Sequence, residues 1–209
     1  MKQILCFGDS NTYGLIPGTS DRYEWGVRWT SRLSEKIRTK GYQVIEEGLC
    51  GRTTIFDDPA RIGRRGTELL PVVLESHTPI ELVILMLGTN DCKAAYGATP
   101  EKIGKGIEEL LGQIRSNSPN CKVLLISPIY LGEKVWQKGY DEEFSEASIY
   151  VSKELENVYE EIADKSQIAF LRAADFAKAS ITDQEHLDKE GHKKLADAIY
   201  RKVDELLSA

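Results

Sequence analysis

Five short apolar runs punctuate the chain: Ile4–Phe7, Val44–Glu47, Leu82–Leu87, Val123–Ile126 and Ile168–Leu171. The third and fourth, LVILML and VLLI, are continuous rather than alternating, as expected of strands covered on both faces. The second is the weakest, because two of its residues are glutamates. Between the runs lie segments of helical period. RWTSRLSEKIRTKG ends on Gly41, a suitable helix C-cap. TPEKIGKGIEELLGQIRS starts with Thr99 as N-cap and Pro100 at the first helical position, and carries its apolar stripe through Ile103, Ile107, Leu110, Leu111 and Ile114. Further helices are expected over roughly Glu142 to Lys165 and Lys189 to Leu207. Strands alternating with helices predict an α/β fold, with a mostly parallel sheet and helices on both faces. No repeat, low-complexity tract or linker interrupts the 209 residues, which read as a single domain, 1–209.

In such a sheet the carboxyl ends of the strands share one edge, so the segments just after each strand are where chemistry is expected. They are polar or glycine-rich. Gly8-Asp9-Ser10-Asn11 follows the first strand, and Gly48-Leu49-Cys50-Gly51-Arg52-Thr53-Thr54 the second. Gly88-Thr89-Asn90-Asp91 follows the third, and Asp183-Gln184-Glu185-His186 lies beyond the fifth. Two long loops, 14–27 and 127–141, also leave strand ends.

The first turn lacks the glycines of a dinucleotide fingerprint, the Gly-Lys-Ser/Thr of a phosphate loop and the second glycine of a Gly-x-Ser-x-Gly elbow. An aspartyl nucleophile at Asp9 would want a second carboxylate two residues on, where Asn11 stands, and a flavin-phosphate loop matches SNTYG poorly. A serine nucleophile, Ser10, survives; it needs a base and an orienting acid. Of the three histidines, His77 reads as a surface or cap residue and His192, opening the last helix, as a solvated one. His186 lies in a loop with Asp183 three residues before it, close enough in a tight turn to fix its tautomer. Taken singly, Gly51 reads as a turn glycine and Asn90 as a capping side chain.

Composition narrows the classes. A net charge of −6 argues against a nucleic-acid groove. No run approaches the roughly 18 apolar residues of a membrane span, and the amino terminus is too short in apolar residues for a signal peptide. A cytoplasmic protein with no membrane partner is expected. The four cysteines form no Cys-x-x-Cys pair, so no metal site is expected.

Together FGDSNTYG, GLCGRTT, LGTND and DQEHLDKEGH resemble the SGNH, or GDSL-like, hydrolase family. Their order and spacing match over residues 7–192, and WGVRW, VIEEGLCGRTTIFDDP and LVILMLGTNDCKAAY resemble its bacterial arylesterase and acyltransferase branch. The resemblance implies a three-layer α/β/α sandwich with a five-stranded parallel sheet in flavodoxin-like order. It implies a serine esterase acting on small esters of short acyl groups, without metal or cofactor, and it suggests self-association. By that resemblance Ser10, His186 and Asp183 form the catalytic triad, and the Ser10 and Gly51 amides with the Asn90 side chain form the oxyanion hole. Trp25 and Trp136, in the long loops, are candidate walls of an acyl pocket, with packing as the plainer role. The alternative activity is a carbohydrate O-acetylesterase. From other classes come a non-catalytic flavodoxin-like binding module and a Mg²⁺-dependent phosphotransferase using Asp9. The one departure is that the family's usual final block has a glycine and an apolar residue where Gln184 and Glu185 stand, which puts the turn aiming Asp183 and the pH optimum in question.

Overall fold

Side chains alternate faces along a strand, so a continuous apolar run must be covered on both sides. Ile4, Leu5, Cys6 and Phe7 are all fully buried, yet they serve two different cores. In this computed structural model, which describes residues 1–208, β1 (Lys2–Gly8) is flanked by β2 (Tyr42–Gly48) and β3 (Ile80–Met86). β4 (Lys122–Ser127) and β5 (Ala169–Arg172) complete a five-stranded sheet of order β2-β1-β3-β4-β5. All four pairings are parallel.

Leu5, Phe7, Val83, Leu85 and Leu125 point into one core with α3 (Gly66–Ser76), α4 (Pro100–Asn117) and α5 (Glu146–Ser166). Ile4, Cys6, Leu82, Ile84 and Leu124 point into the other with α2 (Trp29–Ile37) and α6 (Lys189–Ser208). The result is the expected α/β/α sandwich in flavodoxin-like order. The strand order reverses between β1 and β3, which opens a crevice at their carboxyl ends. Among the described residues no helix is long and apolar enough to cross a membrane.

Three elements depart from the sequence reading. β2 is an edge strand with no fully buried residue, so it can carry Glu46 and Glu47; Glu46 is held by Arg28, Arg22 and Thr30. α5 starts at Glu146 rather than near Glu142, because Ser145 and Ser148 form a reciprocal cap. α3 has no clear helical signal, since Pro71 sits inside it. A proline at 71 cannot donate to the carbonyl of Thr67 one turn back. That carbonyl instead accepts a hydrogen bond from Gln113 Nε2 of α4 at 2.8 Å, so the neighbouring helix repairs the gap.

Replacing Gln113 by alanine is expected to cost about 1 kcal/mol of unfolding free energy, because it orphans the Thr67 carbonyl. Chemical denaturation with unchanged m-value would report it.

Candidate active site

The turn after β1 is short and internally held. Asp9 is buried, caps the four-residue helix α1 (Ser10–Tyr13), and accepts the Asn11 amide N–H at 2.9 Å. Its carboxylate works inside the turn, whereas Ser10 faces outward to His186. Asn11 reaches across to the other end of the chain. Its Oδ1 accepts the Leu187 N–H at 2.9 Å and its Nδ2 donates to the Glu185 carbonyl at 3.3 Å. The two bonds grip the backbone on both sides of His186.

The His186 block is a tight turn closed by Gln184 N–H to the Ser180 carbonyl at 2.8 Å. Asp183 Oδ1 accepts the amides of Glu185 and His186 at 3.1 and 3.0 Å, and Oδ2 accepts that of Gly18 at 2.9 Å. The same Oδ2 lies 2.8 Å from His186 Nδ1, and His186 Nε2 lies 2.8 Å from Ser10 Oγ. In the neutral ring, with its proton on Nδ1 on the Asp183 side, Nε2 is free to accept the Ser10 hydroxyl proton. The missing glycine does not distort this turn. Gln184 adopts the left-handed conformation itself, with φ of 65°, at a cost on the order of 1–2 kcal/mol. Its carbonyl accepts the Gly132 N–H at 2.7 Å, and its side chain lies over Gly132, where an added Cβ would sit 2.9 Å from Gln184 Cβ. The 127–141 loop is thereby fastened to the His186 turn.

Charge around His186 is dense. Burial pulls the imidazole down, but the Glu185 charge, the Asp183 hydrogen bond and charge, and Asp9 outweigh it and push the ring up to about 9. Glu185 is 6% exposed, and its Oε1 lies 3.7 Å from Nε2. Burial pushes its carboxyl up to about 7, with His186 and Lys93 opposing and Asp141 and Asp183 adding to the rise. For Asp183, burial acts upward, yet the hydrogen bonds and charge of His186 leave it below the usual carboxylate range.

Facing this pair is the loop after β2. Gly51 has φ of 81°, a conformation that suits glycine. The loop is anchored beneath Ser10: the amide of Leu49 and Arg52 Nη1 both donate to the Gly8 carbonyl, at 3.1 and 2.9 Å. Arg52 lies buried with its guanidinium 4.0 Å from the Phe7 ring centroid, and burial lowers it to about 10. Asn90 Nδ2 donates to the Arg52 carbonyl at 3.1 Å, which leaves its second N–H for another partner. Asp91 accepts both the amide and the hydroxyl of Thr54, at 2.9 and 2.5 Å, so it clamps the Gly51 loop rather than acting on Asn90. Burial raises Asp91 to about 6. Among the described residues, the Ser10 and Gly51 amides donate to no group of the chain. Two backbone N–H groups are therefore free for an oxygen that develops negative charge. No cluster of three or more His, Cys, Asp or Glu suited to a metal occurs among the described residues.

The aromatic expectations divide. Trp25 is 57% exposed and borders a groove with Met1, Glu35, Arg38 and Gln43, at the amino-terminal end of the sheet. The structure thus does not bring it to Ser10, because the 14–27 loop turns back along the outside of β2. Trp136 belongs to the loop fastened to the His186 turn and is half-exposed. Trp29 packs, fully buried, and its Nε1 donates to the Asn11 carbonyl at 3.1 Å. His192 is not solvated: it is fully buried, edge-on to Tyr23, and burial lowers it to about 3. Its Nδ1 accepts the Trp29 N–H at 3.3 Å, so as a neutral ring it carries its proton on Nε2. Sequence reading missed the bridge from Asn11, the burial of Glu185 beside Nε2 and the Asp91–Thr54 clamp. Their only signal is that polar side chains flank each motif residue.

The profile of the family described as GDSL-like lipase/acylhydrolase matches residues 6–194. Nothing among curated protein sequences matches the chain. Solved structures do. A carbohydrate acetylesterase from Sinorhizobium meliloti is 37% identical, with a TM-score of 0.91 over 99% of this chain and 100% of that one. An aryl esterase from M. smegmatis is 33% identical, with a TM-score of 0.91 over the same shares. A carbohydrate acetylesterase family member from S. meliloti is 32% identical, with a TM-score of 0.93 over the whole of both chains.

Two outcomes are expected from this geometry. A negative charge beside the ring favours the imidazolium, so removing it must lower the pH at which the ring loses its proton. In NMR titrations His186 should titrate near 9, and Glu185→Gln should move it down by about one unit or more. An unmoved midpoint would refute the role given to Glu185. Asn11→Ala should cost about 1–3 kcal/mol in denaturant unfolding, since it leaves the buried Leu187 amide unpaired.

Proposed function

The chain belongs to the GDSL-like lipase/acylhydrolase family, and from that membership we propose that it cleaves short-chain esters through an acyl intermediate on Ser10. It is a carboxylic ester hydrolase, like its esterase neighbours. The reading of the site rests on one observation: an unbroken line from Ser10 Oγ through His186 to Asp183, with 2.8 Å at each link.

Ser10 Oγ attacks the ester carbonyl carbon while its proton passes to His186 Nε2. Asp183 holds the ring and steadies the imidazolium. The carbonyl oxygen becomes an oxyanion, received by the Ser10 and Gly51 N–H groups and the spare N–H of Asn90. Collapse expels the alcohol, which takes the proton from Nε2 and leaves an acyl-serine. Water then attacks the acyl carbon, His186 takes its proton, and the acid departs as Ser10 regains that proton. An alcohol in place of water gives acyl transfer by the same steps. The 37% identical acetylesterase favours a second reading in which the leaving alcohol is a sugar hydroxyl. Four unpaired cysteines support a reducing, cytoplasmic setting.

The test is hydrolysis of p-nitrophenyl esters of rising chain length beside acetylated sugars, with and without chelator. Short acyl esters should be cleaved fastest. Ser10→Ala and His186→Ala should each lower kcat by at least about 10³-fold, and Asn90→Ala by about 10²–10³-fold. A folded Ser10→Ala variant that still hydrolyses these esters would overturn the mechanism, and a rate ratio favouring sugar acetates would select the second reading.

A further inference from the structure

The reaction leaves Arg61 unused, yet it stands over the oxyanion loop. A Cβ built on Gly51 would lie 2.6 Å from Arg61 Nη2 and 2.7 Å from both Cζ and Nη1. Near-equal distances to three atoms of the guanidinium mean that its flat face covers the Gly51 α-carbon. The group is held in place from its inner side. Arg61 Nε donates to Asp58 Oδ2 at 2.8 Å, and Asp58 is itself fixed by the amides of Ala60 and Arg61 at 2.9 and 3.2 Å. Among the described residues, Nη1 and Nη2 donate to no group of the chain, and the side chain is 39% exposed. Asp58 thus orients the fork and leaves its two outer nitrogens open to solvent beside the Gly51 loop. Arg64 reinforces the positive rim, its Nε bonded to the Cys50 carbonyl at 2.8 Å.

Beside His186 the charge is negative. Glu185 lies 3.7 Å from His186 Nε2, the atom that must deliver its proton to the leaving alcohol. Asp141 adds negative charge there, while Lys93 is engaged by Glu143. An anionic leaving group would therefore meet repulsion. An anion on the acyl group, which lies away from Nε2, would not.

Resting on the esterase reading of the same site, the geometry points to esters whose acyl group ends in a carboxylate, the half-esters of short dicarboxylic acids, with Arg61 as the residue that selects them. A planar guanidinium with two free N–H edges matches a carboxylate in a paired, charge-assisted fashion that a neutral acyl chain cannot reproduce. The chain's overall charge of −6 makes this local positive rim the feature that admits such a substrate.

The experiment compares kcat/KM for the mono-p-nitrophenyl ester of succinic or glutaric acid with that for the neutral p-nitrophenyl ester of matching acyl length. A third substrate, 4-acetoxybenzoate, carries its carboxylate on the alcohol instead. The wild-type protein should prefer the acyl-borne anion over its neutral partner by about tenfold or more, equivalent to about 1.4 kcal/mol. Added salt should shrink the preference. Arg61→Gln should bring that ratio toward one and Arg61→Lys should restore part of it, which a purely structural role for Arg61 would not do. A ratio near one in the wild type, a ratio untouched by Arg61→Gln, or a preference for the alcohol-borne carboxylate would each overturn the assignment. If the wild type cleaves no ester at all, the esterase reading itself fails; neutral esters cleaved in a Ser10-dependent way without charge preference sink only the role of Arg61.

Discussion

The side-chain amide of Asn11 sets the frame on which the site depends. Ser10 and His186 stand 176 residues apart, at the two ends of the chain, and must meet within hydrogen-bond distance. β1 and α6 share one hydrophobic core, which brings these ends near one another, but packing alone does not place a ring nitrogen to a few tenths of an ångström. Asn11 does, by accepting from the residue after His186 and donating to the residue before it. An amide does both through two separate atoms; an ionised aspartate at this position could accept but not donate. Trp29 and His192 extend the same frame inward, since Trp29 bonds the Asn11 carbonyl and His192 bonds the Trp29 amide. A strand end, a loop and two helices are thus joined through a few buried polar contacts.

Burial also shapes the electrostatics. Asp9, Asp91, Arg52 and Glu185 all lie out of solvent around the crevice. Asp91 accepts from Thr54 of the Gly51 loop, and Arg52, itself in that loop, donates to the Gly8 and Glu47 carbonyls, so both hold the loop still. Glu185 has no such duty, and its influence passes through space to His186. Where water is excluded, a charge a few ångströms away acts strongly. Charge around the crevice is thus uneven, with the Glu185 carboxylate beside His186 and the Arg61 guanidinium beside Gly51.

Much of this was readable from the chain. The continuous runs LVILML and VLLI announced a sheet covered on both faces, and four polar clusters at strand ends announced where chemistry would gather. The structure brings Ser10, Asp183 and His186, named from those clusters, within hydrogen-bond distance of one another. What stayed hidden had a common physical cause: it depended on contacts between segments far apart in sequence. α3 was obscured because its repair for Pro71 comes from α4. His192 read as solvated because nothing local reveals that Tyr23 and Trp29 cover it. Trp25 is left between packing and a pocket wall by its sequence, because the path of its loop leaves no trace in composition. Gln184 looked like a threat to the turn, because the sequence does not show that the surrounding bonds can hold a non-glycine residue in the left-handed region.

The contact between Gln184 and Gly132 has an evolutionary meaning. With glutamine lying over position 132, any side chain there would collide with it, whereas a glycine at 184 would leave that space open. The two positions are therefore epistatic. With glutamine at 184, a larger residue at 132 has to displace the Gln184 side chain, so what position 132 accepts depends on what stands at 184. The order of mutations available to the 127–141 loop thus depends on a residue in another loop.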